Sequence, residues 1–239
     1  MTTTTTTAVA TSGTDAATRA QLTAGVIAGP LFITTALLQA GLRPGFDLTR
    51  HPISLLSLGD LGWIQIVNFI VAGTLLIVFS LGLARRLRPG AARLWAPILF
   101  AIGGFGMILG GVFPPDAALG FPVGAPEGIP PSLSFHGLMH AVAPPVAFTA
   151  IVAGIAVAAR RIWLDGHRGA AVLSWIAAGV CFVLSLPGWP LFSILLLVAV
   201  GIGLGWVCGY AIWLLRTDAA LRPRTASGTQ RTEVRGTAR

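Results

Sequence analysis

From Gly169 to Leu215 the chain runs for 47 residues without one charged side chain. As a single helix this stretch would be about 70 Å long, whereas a bilayer core is about 30 Å thick. It must therefore turn. The Pro187-Gly188-Trp189-Pro190 segment supplies the break, because Pro and Gly together punctuate helices. Trp189 beside that break suits a membrane interface.

Four further apolar stretches precede it, at about 22–42, 62–84, 94–113 and 135–159. With the two halves of the long stretch they predict an all-α membrane protein, a bundle of six transmembrane helices over residues 21–216. Composition agrees. Only 10% of residues are charged and mean hydropathy is +0.81, whereas soluble domains carry roughly 25% charged residues. Residues 1–20, rich in Thr and Ala, are expected to form a disordered tail, as is the basic segment 217–239.

The net charge is +8, and every basic residue apart from histidine is Arg. Nucleic acid is not the expected partner, because the arginines sit in short clusters beside apolar spans, where membrane topology accounts for them. In a six-span arrangement fourteen fall on one side, and only Arg43 and Arg50 fall on the other. The positive-inside rule then places both termini of a multi-pass plasma-membrane protein in the cytoplasm. An odd number of crossings would mix the two sets.

Small residues recur every fourth position at Gly25 and Gly29, at Gly106 and Gly110, and at Gly201, Gly205 and Gly209. Such faces let helix backbones approach closely. Packing within one bundle is the first use expected of them, and a homo-oligomer is the alternative.

The polar residues that topology leaves unexplained collect in two outer loops. The first loop carries Asp47, Arg50, His51, Ser54 and Asp60. The second carries Asp116 and Glu127 and leads into His136 and His140. The two histidines are four residues apart, so on a helix they share a face. With His51 and Asp116 they form a candidate set for a divalent metal. The alternative is that these groups hydrogen-bond one another and pin the loops over the bundle. Arg50 could pair with Asp47 or Asp60, or grip an anionic headgroup. Ser54 near His51 suggests a nucleophile and its base, although no oxyanion hole is legible. Pro144 and Pro145 deprive the carbonyls of His140 and Ala141 of their helical donors. The apolar run Ile53–Leu58 suggests a short interfacial helix. Cys181 and Cys208 lie in apolar spans and are expected as packing residues.

Four motifs carry a family resemblance. They are Gly29-Pro30, RPGFDLTRHPISLLSLGDLGWIQIVNF at 43–69, GGVFPPDAALGFPVGAP at 110–126 and SFHGLMHAVA at 134–143. Over about residues 22–215 the chain resembles the bacterial membrane family catalogued as domain of unknown function 998. The resemblance implies a six-span membrane protein and no particular activity. Pro115 stands where Thr is common in that pattern, and Ala117 where Pro is common. By looser analogy, Ser54, Asp116, His136 and His140 are similar to the Ser, Asp and His set that surrounds zinc in ceramidase-type and adiponectin-receptor-type membrane hydrolases. Those have seven spans and carry the histidine pair near the end.

Three functions follow as expectations. The first is binding of a lipid or small hydrophobic ligand at the extracytoplasmic face. The second is metal-dependent lipid hydrolysis by the outer His/Asp cluster. The third is transport, which asks for polar groups at the midplane and for inverted repeats.

Overall fold

The computed structural model describes residues 15–87 and 89–220. The expected tails are outside the described residues over 1–14 and 221–239. The helices are α1 (Ala16–Leu42), α2 (Gly62–Arg86), α3 (Ala91–Val112), α4 (Phe135–Leu164), α5 (Arg168–Leu184) and α6 (Phe192–Ala220). A short 3-10 turn, Ile53–Ser57, sits between α1 and α2. Helix α1 starts where Asp15 accepts a hydrogen bond from the Thr18 amide at 2.6 Å, which satisfies one of the four orphan donors of the first turn. Helix α4 stays helical through Pro144 and Pro145.

Each helix packs on the next, and α6 returns to α1, so the chain closes into a ring. Neighbours run antiparallel. On α5 and α6, Cys181 donates to the Ala199 carbonyl, and Trp206 donates to the Ser174 hydroxyl. As the α5 position falls by seven, the α6 position rises by seven. Helices α4 and α5 show the same relation through the Trp175 bond to the Ala156 carbonyl and the Arg168 guanidinium over Trp163.

The expectation of six crossings is corrected to five. Among the described residues, α1, α2, α3, α4 and α6 are long and apolar enough to cross a membrane. Helix α5 has 17 residues, about 26 Å of rise, which falls short of a core of about 30 Å. The apolar run alone does not reveal this. The residues around Pro187 form turns rather than helix, and α6 begins only at Phe192. Among the described residues the arginines outside the two loops still gather at one end, because α5 carries the chain back along the bundle. At one end Arg85 meets Gln21 of α1, and Arg86 meets Thr217 of α6. We call this the arginine end and the other the loop end.

Aromatic rings fill the ring interior toward the arginine end. Phe79 and Phe100 lie 5.6 Å apart edge to face, and Trp206 stacks on Phe100 at 6.2 Å. The outer surface is apolar on every helix, with Ile27, Leu38, Trp95, Phe105, Leu173 and Ile176 all exposed. Such a surface suits lipid rather than water.

The glycine repeats divide. A Cβ at Gly29 would lie 2.8 Å from the Leu204 carbonyl oxygen, and one at Gly106 would lie 2.9 Å from Ala147. Gly25 packs against the Phe79 ring. Gly201, Gly205 and Gly209 face open space instead, so this repeat does not pack inside the bundle as expected. The closest approach of α2 and α3 falls at Gly73 and Gly104, a pair four-residue spacing does not reveal: a Cβ at Gly104 would come 2.5 Å from the Gly73 carbonyl oxygen.

Gly29→Ala should therefore open the seam between α1 and α6 and cost about 1–3 kcal/mol, the usual range for overpacking. Gly205→Ala, on the open face, should leave stability unchanged or raise it, because Gly inside a helix costs about 0.5–1 kcal/mol relative to Ala. Thermal unfolding of the two detergent-purified variants beside wild type tests the contrast.

Candidate functional site

The first loop is built on a tight turn. The Asp47 carboxylate accepts from the amide and hydroxyl of Thr49, and these bonds hold its pKa below the usual carboxylate value. The turn brings His51 back so that its Nδ1 accepts from the Asp47 amide at 2.9 Å. The ring proton is then on Nε2, which donates to the Leu119 carbonyl at 2.9 Å. Leu119 holds a left-handed φ of 60°, uncommon for a residue other than glycine. The rings of Phe46, His51 and Phe121 lie within 5.2 to 5.6 Å of one another. Arg43 donates to the carbonyls of Leu56 and Leu58 and covers the Phe121 ring. His51 is thus the rivet between the two loops.

Arg50 forms its ion pair with Glu127 of the second loop rather than with Asp47 or Asp60. Both side chains are exposed, so the pair adds little stability. The Arg50 carbonyl accepts from Ser193, which ties the start of α6 to the same loop. Ile53, Leu55 and Leu56 of the 3-10 turn are buried against the bundle. The turn is a roof and does not present its apolar side to the membrane interface.

Asp116 spans the entry to α4. Its carboxylate accepts from the amide and hydroxyl of Ser134, and Ser134 in turn caps the helix by accepting from the Gly137 amide at 3.0 Å. Gly137 leaves room for the carboxylate that a Cβ would occupy. The two bonds from Ser134 hold the Asp116 pKa below its ordinary 3.8, helped by nearby His136. His136 is exposed with its ring edge-on to Phe113. His140 is buried, and its Nδ1 donates to the Phe113 carbonyl at 2.7 Å. Its Nε2 has no hydrogen-bond partner.

The candidate residues therefore divide between tasks. His51, Asp116 and Arg50 fasten loops, His136 faces outward, and Ser54 and His140 line a cavity. Among the described residues no three His, Cys, Asp or Glu side chains converge as a metal site requires. Both nitrogens of His51 and one of His140 are committed to the chain itself. This donor set does not fit a divalent metal, and with both of its nitrogens engaged His51 has none to serve Ser54 as a base.

The cavity lies inside the ring toward the loop end and has a volume of about 90 Å³. All six helices contribute to its wall, among them Phe32, Phe69, Met107, Phe148, Cys181 and Val200. Pro52, Ile53 and Ser54 of the first loop also line it. The α4–α5 register ends α5 near the level of Ala147, and α4 and α6 barely touch. The chamber lies at the level of the last turns of α5, with Cys181 in its wall.

A second polar feature is not evident from the sequence. Gln39, Gln65 and Asn68 are buried together, and the Gln65 Oε1 accepts from Gln39 at 2.8 Å and Asn68 at 3.2 Å. Gln39 and Gln65 are on different helices, so only the antiparallel pairing of α1 with α2 brings them together. The one sequence signal was the spacing of Gln65 and Asn68, three apart on one helical face.

Residues 26–213 match the family described as Protein of unknown function (DUF998). The chain belongs to this family. Comparison with curated proteins and with solved structures gave no match. The matched span of this DUF998 protein runs from α1 into α6, so the loops, their fastenings and the chamber all fall inside it.

Replacing His51 with Leu should leave the Asp47 amide and the Leu119 carbonyl without their partner. A loss of about 1–3 kcal/mol is expected for unsatisfied buried groups, read as a lower unfolding midpoint. For Asp116, a depressed folded-state pKa means its contribution is complete well above 3.8. That contribution is lost as pH falls through 3.8 toward the folded value. Hydrogen exchange of the Ser134 amide should accelerate in that window in wild type, and at all pH values in Asp116→Ala.

Proposed function

We propose that this integral membrane protein binds one hydrophobic chain, from a lipid or another small apolar molecule, in the chamber beneath the outer loops. The observation that carries this reading is an apolar chamber in the ring interior, at the level where α5 ends. An engineered apolar cavity of about 150 Å³ takes a benzene ring. At about 90 Å³ the chamber suits the end of a single acyl chain, which is slimmer than a ring. Phe32, Phe69 and Phe148 offer the apolar contacts typical of small-molecule sites. Ser54 and the unpaired Nε2 of His140 offer the few polar groups.

In this reading the loop end faces outward and the arginine end faces the cytoplasm of a bacterial cell. The support is the positive-inside rule applied to the clusters at Arg85, Arg86, Arg93, Arg160, Arg161 and Arg168. The loops act as a fastened roof, and the ligand enters sideways from the membrane, between α4 and α6.

A diazirine-bearing alkane of ten carbons tests this. On irradiation in nanodiscs, labelling should concentrate on peptides 140–152 and 196–204. It should fall at least fivefold in Val200→Trp, which fills the chamber. Labelling spread evenly over outward-facing residues such as Leu38, Phe105 and Leu173, unchanged in the variant, would overturn the proposal.

A further inference from the structure

A second cavity lies at the arginine end and has no part in the reading above. Its volume is about 260 Å³, larger than the chamber. It is lined by Arg86 of α2, Arg161 and Asp165 at the end of α4, His167, and Tyr210 and Thr217 of α6. Where the chamber is apolar, this cavity is bordered by guanidinium, imidazole and hydroxyl groups and by the Asp165 carboxylate.

The polar groups are held in place. Arg161 donates from Nε and Nη2 to the two oxygens of Asp165, at 2.9 and 2.6 Å. That fork fixes the guanidinium plane and uses two of the five N–H donors an arginine carries. Arg86 donates to the Thr217 hydroxyl at 3.4 Å, a long bond. Thr217 itself donates back to the carbonyls of its own helix. Tyr210 and Trp213 stack at 5.8 Å, and His167 sits edge-on to Trp213 at 5.4 Å. This aromatic ledge carries the imidazole at the cavity wall.

Tyr210 is the deciding residue. Its side chain is only 5% exposed, and it lines the cavity. Its hydroxyl makes no hydrogen bond within the described residues, although buried tyrosine hydroxyls usually find a partner. A tyrosine hydroxyl at the cavity wall, beside an imidazole and two guanidiniums of which one already engages the Asp165 carboxylate, suits a group that accepts several hydrogen bonds. The wider field agrees. Arg19, Arg85, Arg93, Arg160, Arg168 and Arg216 flank the same end, against few carboxylates. A concave site under one sign of charge concentrates the opposite ion.

We infer that the cavity bounded by Arg86, Arg161, His167 and Tyr210 binds a phosphate group. The guanidiniums neutralise its charge and present N–H groups to its oxygens. The Tyr210 hydroxyl donates to a further oxygen from below. The phosphate is either a free anion or the headgroup of a lipid in the adjoining leaflet, and the same donors serve both.

The full chain in nanodiscs distinguishes these sources. Native mass spectrometry measures retention of phosphatidylglycerol against phosphatidylcholine, and thermal unfolding in detergent measures stabilisation by inorganic phosphate. Selective retention of phosphatidylglycerol supports the phosphate site and names a lipid as its source. A rise in the unfolding midpoint with millimolar phosphate, but not with chloride at equal ionic strength, supports it and names a free anion. In either case Tyr210→Phe, a mild change, should weaken binding several-fold and Arg86→Gln about tenfold, while Arg93→Gln outside the cavity leaves it unchanged. Retention of both lipids that Tyr210→Phe and Arg86→Gln leave unchanged, with no phosphate effect, overturns the inference. So does phosphate or lipid binding that Tyr210→Phe and Arg93→Gln reduce alike, since that would be attraction to the basic surface as a whole.

Discussion

Everything inside the ring depends on the first helix reaching the last. Helices α1 and α6 meet where Gly29 abuts the backbone of Leu204, with no space for a Cβ between them. In lipid there is no hydrophobic force to draw helices together, so close van der Waals contact and small residues do that work. The contact closes a row of antiparallel helices into a ring. Only a closed ring has an interior, and the chamber and the stacked Phe79, Phe100 and Trp206 are both features of that interior.

The two ends of the ring treat polar groups differently. At the loop end nearly every polar side chain is consumed by the protein's own backbone: His51 by Asp47 and Leu119, Arg43 by Leu56 and Leu58, Asp116 by Ser134. Such bonds fix geometry and leave little chemistry over. At the arginine end Arg161 engages Asp165 through only two of its five donors, and the Tyr210 hydroxyl makes no hydrogen bond within the described residues. The same residue types thus act as fasteners at one end and as a recognition surface at the other, according to whether a backbone acceptor lies in reach.

The short α5 links fold and site. Its 17 residues end beside the middle of α4, which leaves the upper part of the ring thin on one flank. A helix one or two turns longer would cover the contact line between α4 and α6. The helix too short to span is also the one whose last turns stand beside the chamber.

Much of this was legible in the chain itself. Long uncharged stretches dictate helices, because in lipid every backbone polar group must be satisfied within its own segment. The clusters around Arg85 and Arg160 dictate that those turns share an end, since arginine is costly in hydrocarbon. Asp116, His51 and His136 stood out as polar residues beside apolar spans. Other features needed the fold. The length of α5 depended on how much of the Pro187 region was taken by turns, and apolar composition is the same in a turn as in a helix there. Gly29 and Gly205 share a spacing pattern, yet only the ring decides which faces a backbone and which faces lipid. Gln39 meets Gln65, and His140 meets Phe113, across segments distant in sequence. Composition and local pattern determined the helices and their common orientation, because those are properties of a segment in its solvent. Which side chains bond to the protein and which are left to meet a ligand was decided by tertiary structure alone, because a hydrogen bond depends on where its partner lies in space.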